Sequence, residues 1–296
     1  MDHAAESSRQ PLDAELLRAS LLSPAGPWNR VECLTQVDSS NTVLAQESSQ
    51  SPQEWPDLSV LTAEVQRQGK GRLDRSWVAP QGSALAISLL LRPTEFGVES
   101  FGWLSMISAV AVCQLLEEVA GLKAVIKWPN DVLILDQSGR AKKVCGILAQ
   151  LVTLPGAHPA VVLGTGINVS QEAQELPTET STSVLLSGGA ELDRNVLLTE
   201  YARNFASLYK RYAAVAGHAL LRTEAGDASM AEEVTSRLLS LGQQVRAELP
   251  GGKFLIGTAT GIDAQGALLI TDAQGSSTAV SAADVVHLRK SEGSYA

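Results

Sequence analysis

The sequence LSVLTAEVQRQGKGRLDRSWVAPQGSALAISLLL, residues 58–91, places a loop rich in glycine and arginine between two apolar segments. The segments 58–65 and 84–91 are bounded by polar or Gly/Pro residues, which is typical of buried strands. The loop 69–77 carries three cations and two glycines and ends in a tryptophan. Glycine lets a backbone approach a ligand closely, and cations crowded together favour an anion between them. The loop therefore predicts a phosphate-binding segment, with a solvated basic turn as the alternative.

The commoner nucleotide-binding loops do not match this stretch. Asp74 stands where a dinucleotide-binding loop has its third glycine, and the Gly-Lys pair at 69–70 lacks the spacing and the following Ser or Thr of a Walker A loop. Protein-kinase segments of the His-Arg-Asp and Asp-Phe-Gly types do not occur in the sequence. The loop alone leaves both interpretations open.

The remainder of the chain predicts one large and one small domain. Apolar residues recur at helical spacing over 104–119 and 197–212, and each run precedes a glycine, which predicts two helices packed on a sheet. From Gln244 onward short apolar runs alternate with turns, which is typical of a compact antiparallel unit. We predict an α/β (α+β) fold with a mixed or antiparallel sheet backed by helices. The predicted ranges are a flexible extension at 1–27 with a short helix around 14–22, a main domain at 28–238, a small β-barrel at 239–290 and a tail at 291–296.

Composition limits the partners and the compartment. The formal net charge of −9 disfavours nonspecific nucleic-acid binding, because neutralising phosphates needs a basic face. Three cysteines without metal-ligand spacing, together with a polar N-terminus, indicate a reducing cytoplasm. The most apolar helical stretch, 104–116, contains Ser105, Ser108 and Gln114 and is expected to be too short to cross a bilayer. We therefore expect neither DNA nor a membrane as a partner.

Five short segments occur in the order found in biotin protein ligases. They are DSSNT at 38–42, GKGRLDRSW at 69–77, KWPND at 127–131, KVCGIL at 143–148 and GTGINV at 164–169. The sequence resembles this family from about Val31 to Leu288, and it resembles the type that lacks an N-terminal DNA-binding domain, because fewer than 40 residues precede Asp38. The resemblance implies a biotin/lipoate ligase-like catalytic domain followed by a small Src-homology-3-like β-barrel.

The same resemblance implies a biotin site. Ser39, Ser40 and Gln66 match the positions that face the neutral ureido ring, although Ser39 to Asn41 taken alone would be a helix N-cap. Lys143 matches the lysine that reaches the carboxylate to be activated, and Gly146 would let the strand backbone lie against the ligand. The implied biotin-binding residues are Ser39, Ser40, Asn41, Gln66, Gly69, Lys70, Gly71, Arg72, Lys143 and Gly146.

The nucleotide and metal residues are implied in the same way. Asn168 matches an asparagine placed against adenine, where a side-chain amide can pair with a base edge. Asp131 matches a residue that holds Mg²⁺ or orients a cation, although KWPND could also be a strand that ends in a turn. The implied ATP- or adenylate-binding residues are Arg72, Arg75, Trp77, Lys127, Asn130 and Asn168. The implied catalytic residues are Lys143, Arg72 and Asp131, with Asp131 as the metal ligand.

The resemblance implies a two-step ligation that uses ATP, biotin and Mg²⁺, with the biotin carboxyl carrier domain of a biotin-dependent carboxylase as the acceptor. A lipoate-protein ligase or octanoyl transferase, a biotin-responsive repressor and a noncatalytic adenylate-binding regulator are the alternatives. The polar set Ser39, Ser40 and Gln66 favours a ureido ring over an apolar dithiolane. The sequence departs from the family's common pattern at Asp74, at Ser40 and at Gln150.

Overall fold

The structure, a computed structural model, describes residues 9–72, 75–153, 158–249 and 253–281 and the backbone of 284–287. The helices are α1 (Ala14–Leu21), α2 (Ser40–Gln50), α3 (Gly102–Glu118), α4 (Arg194–Ala214) and α5 (Met230–Thr235), with short 3₁₀ helices at Val98–Ser100 and Ala173–Glu175. The strands are β1 (Arg30–Val37), β2 (Ser59–Gln66), β3 (Ala84–Leu91), β4 (Ala124–Lys127), β5 (Asp131–Leu135), β6 (Ala141–Val152), β7 (Ala160–Asn168), β8 (Gln244–Leu249), β9 (Lys253–Ile262), β10 (Leu268–Thr271), β11 (Ser277–Val280) and β12 (Asp284–His287).

The first seven strands form one mixed sheet in the order β1-β2-β3-β7-β6-β5-β4. Strands β1 and β2 are parallel, and the other neighbours are antiparallel. The remaining strands form an antiparallel sheet in the order β11-β10-β9-β8-β12, which fits a Src-homology-3-like unit. The predicted fold class is therefore confirmed, and the two apolar segments that flank the basic loop are β2 and β3. The two sheets lie inside the predicted ranges 28–238 and 239–290, whose limits remain predictions.

The large sheet carries helices on both faces. One core joins α3 and α4 to the odd-numbered residues of β3, including Leu85, Ile87 and Leu89, while a second core joins α2 to residues such as Leu90 and Val162. Because side chains alternate along a strand, the even-numbered positions of β3 and β7 face α2. On β7 two of these positions are Gly164 and Gly166, which leave room for the side chains of Asn41 and Trp77.

Helix α1 differs from the flexible extension expected for residues 1–27. Its N-cap, Asp13, accepts hydrogen bonds from the backbone N–H groups of Glu15 and Leu16, and Leu17 and Leu21 are fully buried. The helix is too short to be stable alone, but it packs against α4 and β1. Tertiary packing therefore orders this segment, while residues 1–8 lie outside the described part of the chain.

The apolar helix expected to be too short for a membrane is longer than the sequence indicated. With the preceding 3₁₀ turn it runs over Val98–Glu118, and by length and composition alone it could cross a bilayer. However, 61% of its most apolar window is buried inside the protein, where it packs against α4 and the sheet. Its apolar character is therefore explained by its place in the core, and the length argument was wrong.

Candidate functional site

A cavity of about 830 Å³ lies on the α2 face of the large sheet. Its walls come from the start of α2, the basic loop, the β4–β5 turn, strands β6 and β7, and the segment 175–181. Every residue predicted for the site except Gly69 lines this cavity. Gly69 lies beside it: its backbone carbonyl accepts from the N–H of Trp77 at 2.7 Å, and a Cβ there would lie 2.1 Å from the Trp77 carbonyl oxygen. Only glycine fits at this position.

One part of the cavity is lined by buried neutral polar groups. Ser39 caps α2, while the backbone N–H and the hydroxyl of Ser40 both donate to Gln66 Oε1, at 2.8 and 2.9 Å. The Ser88 hydroxyl lies 2.8 Å from Ser40 Oγ and 2.6 Å from Asn41 Oδ1. A buried network of this kind has its rotamers fixed, so these groups present a defined hydrogen-bonding pattern to a ligand.

Ser88 was missed in the sequence, although a signal was available. It is the one serine inside the apolar run 84–91, and it is completely buried. A fully buried hydroxyl in a strand needs a partner, which the α2 residues supply. Ser88 does not itself line the cavity but holds Ser40 and Asn41 from behind.

A β-bulge brings Lys143 into the cavity. The β5–β6 register shifts so that Val132 pairs with Cys145 whereas the next residue, Leu133, pairs with Lys143. The extra residue, Val144, is buried in the same core as Cys145, so alternation resumes with Lys143 on the cavity side, as Gly146 is. Lys142, one residue earlier, is exposed and does not line the cavity.

Two charged or polar pairs meet next to this bulge. Lys143 Nζ lies 2.6 Å from Asp131 Oδ1, with 27% and 22% of the two side chains exposed. Arg72 donates to Asn130 Oδ1 at 3.1 Å, and Asn130 in turn donates to the carbonyl of Ile147 at 2.8 Å. The basic loop is thus tied to the KWPND turn, and Lys143 is tied to the last residue of the same motif.

The indole of Trp77 lies against a patch without side chains. Gly146 and Gly166 are paired across β6 and β7, and a Cβ on either would lie 3.1 or 2.5 Å from the Trp77 ring. Lys143 Nζ is 5.9 Å from the ring centroid, within reach of a cation–π interaction. Gly146, predicted to face the ligand, therefore faces the indole, and a ligand on this patch would lie beside Trp77 or displace it.

Asn168 lines the cavity, but both ends of its amide are bonded to protein. Its Nδ2 donates to the Thr182 carbonyl and its Oδ1 accepts from Gln171 Nε2, each at 2.9 Å. Each end therefore makes one bond, so the predicted pairing with a base edge would use the second N–H of Nδ2 or the second lone pair of Oδ1. Gln171, which is 2% exposed and was not predicted, fixes the orientation of this amide.

The described residues hold no group of three or more His, Cys, Asp or Glu side chains that could bind a metal ion. Among the residues that the structure describes, Asp131 and Glu175 are the carboxylates that line the cavity. Burial raises the pKa of the Cys145 thiol well above its ordinary value, so the thiol stays protonated at neutral pH and packs as an apolar side chain.

Comparison with known proteins gives this fold and cavity a class. Residues 34–168 match the biotin/lipoate A/B protein ligase family, and residues 240–288 match the biotin protein ligase C-terminal domain. A solved structure of biotin protein ligase from Aquifex aeolicus in complex with biotin and ATP superposes with a TM-score of 0.67 at 26% identity, covering 89% of this chain and 100% of that one. The large sheet is therefore that of the biotin and lipoate ligases.

Two curated relatives narrow this class. A biotin--[acetyl-CoA-carboxylase] ligase of Mycobacterium tuberculosis is 35% identical over 287 residues, covering 95% of this chain and 97% of that protein. The bifunctional ligase/repressor BirA of Bacillus subtilis is 32% identical over 223 residues, and the match spans 63% of its length. The chain belongs to the biotin protein ligase family.

Proposed function

We propose that this protein activates biotin with ATP and then transfers it to a lysine of a biotin carboxyl carrier domain. In the first step the biotin carboxylate oxygen forms a bond to the α-phosphorus of ATP, and the bond to pyrophosphate breaks. In the second step the lysine amine attacks the carbonyl carbon of the mixed anhydride, loses a proton and releases AMP. The observation that carries the proposal is one cavity that holds both a neutral hydrogen-bonding set and the Lys143–Asp131 and Arg72–Asn130 pairs.

The neutral set suits the ureido ring of biotin. Ser39, Ser40 and Asn41 are each no more than 5% exposed and already bonded within the protein, so a ligand would use the donor and acceptor capacity that remains on them. The ureido group is uncharged and offers both donors and an acceptor, as these side chains do. An apolar dithiolane ring, as in lipoate, would leave that capacity unused.

The cationic residues suit the reacting groups. Lys143 would lie at the carboxylate, where its charge offsets the negative charge that two reacting anions bring together. Arg72, in the basic loop, would contact the adenylate phosphate, and Lys127, Arg75 and Asn130 would contact the nucleotide beside it. Asn168 would support the adenine side through the network with Gln171.

Mg²⁺ fits as a companion of ATP and not as a resident ion. Mg²⁺ needs only one or two protein carboxylates when phosphate oxygens and water complete its coordination, and Asp131 supplies one. When bound, Mg²⁺ would neutralise phosphate charge. Asp131 would meanwhile exchange part of its contact with Lys143, which would free that ammonium group for the carboxylate.

We place the protein in the cytoplasm, where ATP and carboxylases meet. None of its three cysteines, Cys33, Cys113 and Cys145, forms a disulfide, which suits a reducing compartment. The acceptor is a biotin carboxyl carrier domain, in keeping with the name of the Mycobacterium tuberculosis relative.

The test is transfer of label by the purified protein. The protein is incubated with labelled ATP, a carrier domain and either biotin, lipoate or octanoate, and both pyrophosphate release and labelling of the carrier are followed. We expect biotin alone to support both steps, and a carrier whose acceptor lysine is replaced by arginine to remain unlabelled. Transfer of lipoate or octanoate would identify the rival ligase, and ligand binding without pyrophosphate release would identify a regulator.

A further inference from the structure

The segment that precedes α1 is bonded to a wall of the cavity. Arg9 makes a two-pronged ion pair with Glu175, with Nη1 3.2 Å from Oε1 and Nη2 2.6 Å from Oε2. Nη2 also donates to the carbonyl of Ser170 at 2.9 Å, and 21% and 23% of the Arg9 and Glu175 side chains are exposed. The hydrogen bond from Arg9 lowers the pKa of Glu175, so this carboxylate stays ionised at neutral pH. Forked pairs of this kind fix geometry as well as charge.

Glu175 belongs to a segment, residues 170–182, that we call the wall loop. Its 3₁₀ turn is closed by a capping box in which Glu175 Oε2 accepts from the backbone N–H of Glu172 at 2.9 Å, so one carboxylate binds the turn and Arg9 together. Glu175, Pro177, Thr178, Thr180 and Ser181 of this loop line the cavity. A shift of Glu175 would therefore move one side of the cavity.

The wall loop is hydrogen-bonded to Lys143 and to Asn168. The Lys143 backbone N–H donates to the Thr180 carbonyl at 2.9 Å, and its carbonyl accepts from the Thr182 N–H at 2.8 Å. The Thr182 carbonyl is also the acceptor for Asn168 Nδ2. The loop thus acts as a short extra strand beside the bulge that carries Lys143.

The residues that follow Arg9 in the chain are bonded to side chains of the main domain. Arg194 is 1% exposed and binds both oxygens of Glu64, and it also donates to the carbonyl of Gln10 at 2.6 Å. The Leu12 N–H donates to Glu64, and the Asp13 N–H donates to Asn195 Oδ1 at 2.7 Å. The residues that follow Arg9 are therefore anchored to the main domain, and the Arg9 side chain connects this anchored segment to the wall loop.

We propose that Arg9 is a positioning residue for the nucleotide side of the cavity, acting through Glu175 and the wall loop. This inference rests on the proposed function for what occupies the cavity. The neutral set is held by α2, β2 and β3, and no hydrogen bond from the wall loop to that set is among those of the described residues. The wall loop is bonded to the Asn168 amide on the adenine side but only to the backbone of Lys143 on the biotin side, so loss of Arg9 should affect ATP more than biotin.

The test compares Arg9→Ala with Arg18→Ala. Arg18 is a matched control because it lies in the same N-terminal segment, pairs with Glu32 at 3.6 Å and donates to the Val31 carbonyl, but both partners lie on β1 and not in the wall loop. We expect Arg9→Ala to raise the KM for ATP about 3- to 10-fold and to leave the KM for biotin within about twofold, since a partly exposed pair contributes modestly. The double variant Arg9→Ala with Glu175→Gln should raise the KM for ATP no further than the more damaging single variant does, because each single change already removes the same Arg9–Glu175 ion pair.

Amide hydrogen exchange provides a readout that needs no ligand. In Arg9→Ala, and not in Arg18→Ala, exchange should become faster in residues 170–182 while the sheet is unchanged. Three kinetic results would overturn the proposal: an ATP KM in Arg9→Ala equal to that of Arg18→Ala, equal increases in the KM values for ATP and biotin, or additive effects of Arg9→Ala and Glu175→Gln. Exchange that becomes faster throughout the chain would also overturn it. If the wild-type protein releases no pyrophosphate, the proposed function fails, and hydrogen exchange still decides whether Arg9 holds the wall loop.

Discussion

Replacing Lys143 by alanine should separate catalysis from stability more clearly than any other single change in the cavity. The Lys143–Asp131 pair is partly exposed and lies at the edge of a cavity, where water screens its attraction. Pairs of this kind contribute about 1 kcal/mol or less to stability. For a domain of this size, that corresponds to a fall in Tm of no more than about 4 °C.

The effect on adenylate formation should be much larger. Lys143 would act where negative charge gathers in a water-poor site, and removing one such preorganised group from other enzymes costs roughly 100- to 1,000-fold in rate, about 3–4 kcal/mol. The assay is pyrophosphate release at saturating ATP and biotin, run beside a thermal unfolding scan. Lys142→Ala is the matched control, because Lys142 is the neighbouring residue on β6 but is exposed and outside the cavity.

Two outcomes would contradict this reasoning about Lys143. A folded Lys143→Ala protein with a rate within about threefold of Lys142→Ala would remove the ammonium group from the mechanism. A fall in Tm well beyond that of Lys142→Ala, with activity lost in proportion to unfolding, would mean that the pair is structural.

Two other changes test separate parts of the site, and a labelling experiment tests the burial of Cys33. Arg72→Gly should release biotinyl-adenylate and label bystander lysines while pyrophosphate release continues, and it should label no more than wild type does if the basic loop does not retain the intermediate. Gly166→Ala should displace the Trp77 indole, because the added Cβ would lie 2.5 Å from it. We expect weaker ligand binding and a loss of about 1–3 kcal/mol in the free energy of unfolding. Gly261→Ala is the control, since its Cβ would make an ordinary 3.6 Å contact, and unchanged tryptophan fluorescence in Gly166→Ala would contradict the prediction. Burial raises the pKa of Cys33 to about 11, so the native thiol should resist iodoacetamide at mildly alkaline pH and react once the chain is unfolded, whereas rapid native labelling would show a lower pKa.

The sequence predicted the parts of the site that depend on local pattern. The two apolar runs became β2 and β3, and the Ser-Ser-Asn segment became the cap and first turn of α2. Each of these signals lies within a few residues, where periodicity and turn chemistry act. The order of the motifs then gave the family.

What the sequence did not predict depends on distant partners. Alternation along β6 would place Lys143 and Gly146 on opposite faces, and only the bulge at Val144 brings them to one side. Arg9 and Glu175 are separated by 166 positions, so neither residue carries a local sign of the other. The 14–22 segment was correctly predicted as a short helix, but its order comes from contacts with α4, which the segment itself does not encode.

Neighbouring residues of the KWPND motif contact different parts of the protein. Lys127, Asn130 and Asp131 line the cavity, whereas Trp128 is 2% exposed and points into the C-terminal unit, where its Nε1 donates to the Gly266 carbonyl at 3.1 Å. Gly266 has a φ of +88°, a backbone conformation suited to glycine, at the turn between β9 and β10. The same turn accepts a second indole N–H, from Trp103 of α3 to the carbonyl of Ala264 at 2.9 Å. The C-terminal sheet therefore contacts the side of the KWPND motif that faces away from the cavity. One short segment thus supplies both Trp128, which holds the β9–β10 turn, and Asp131, which lines the cavity.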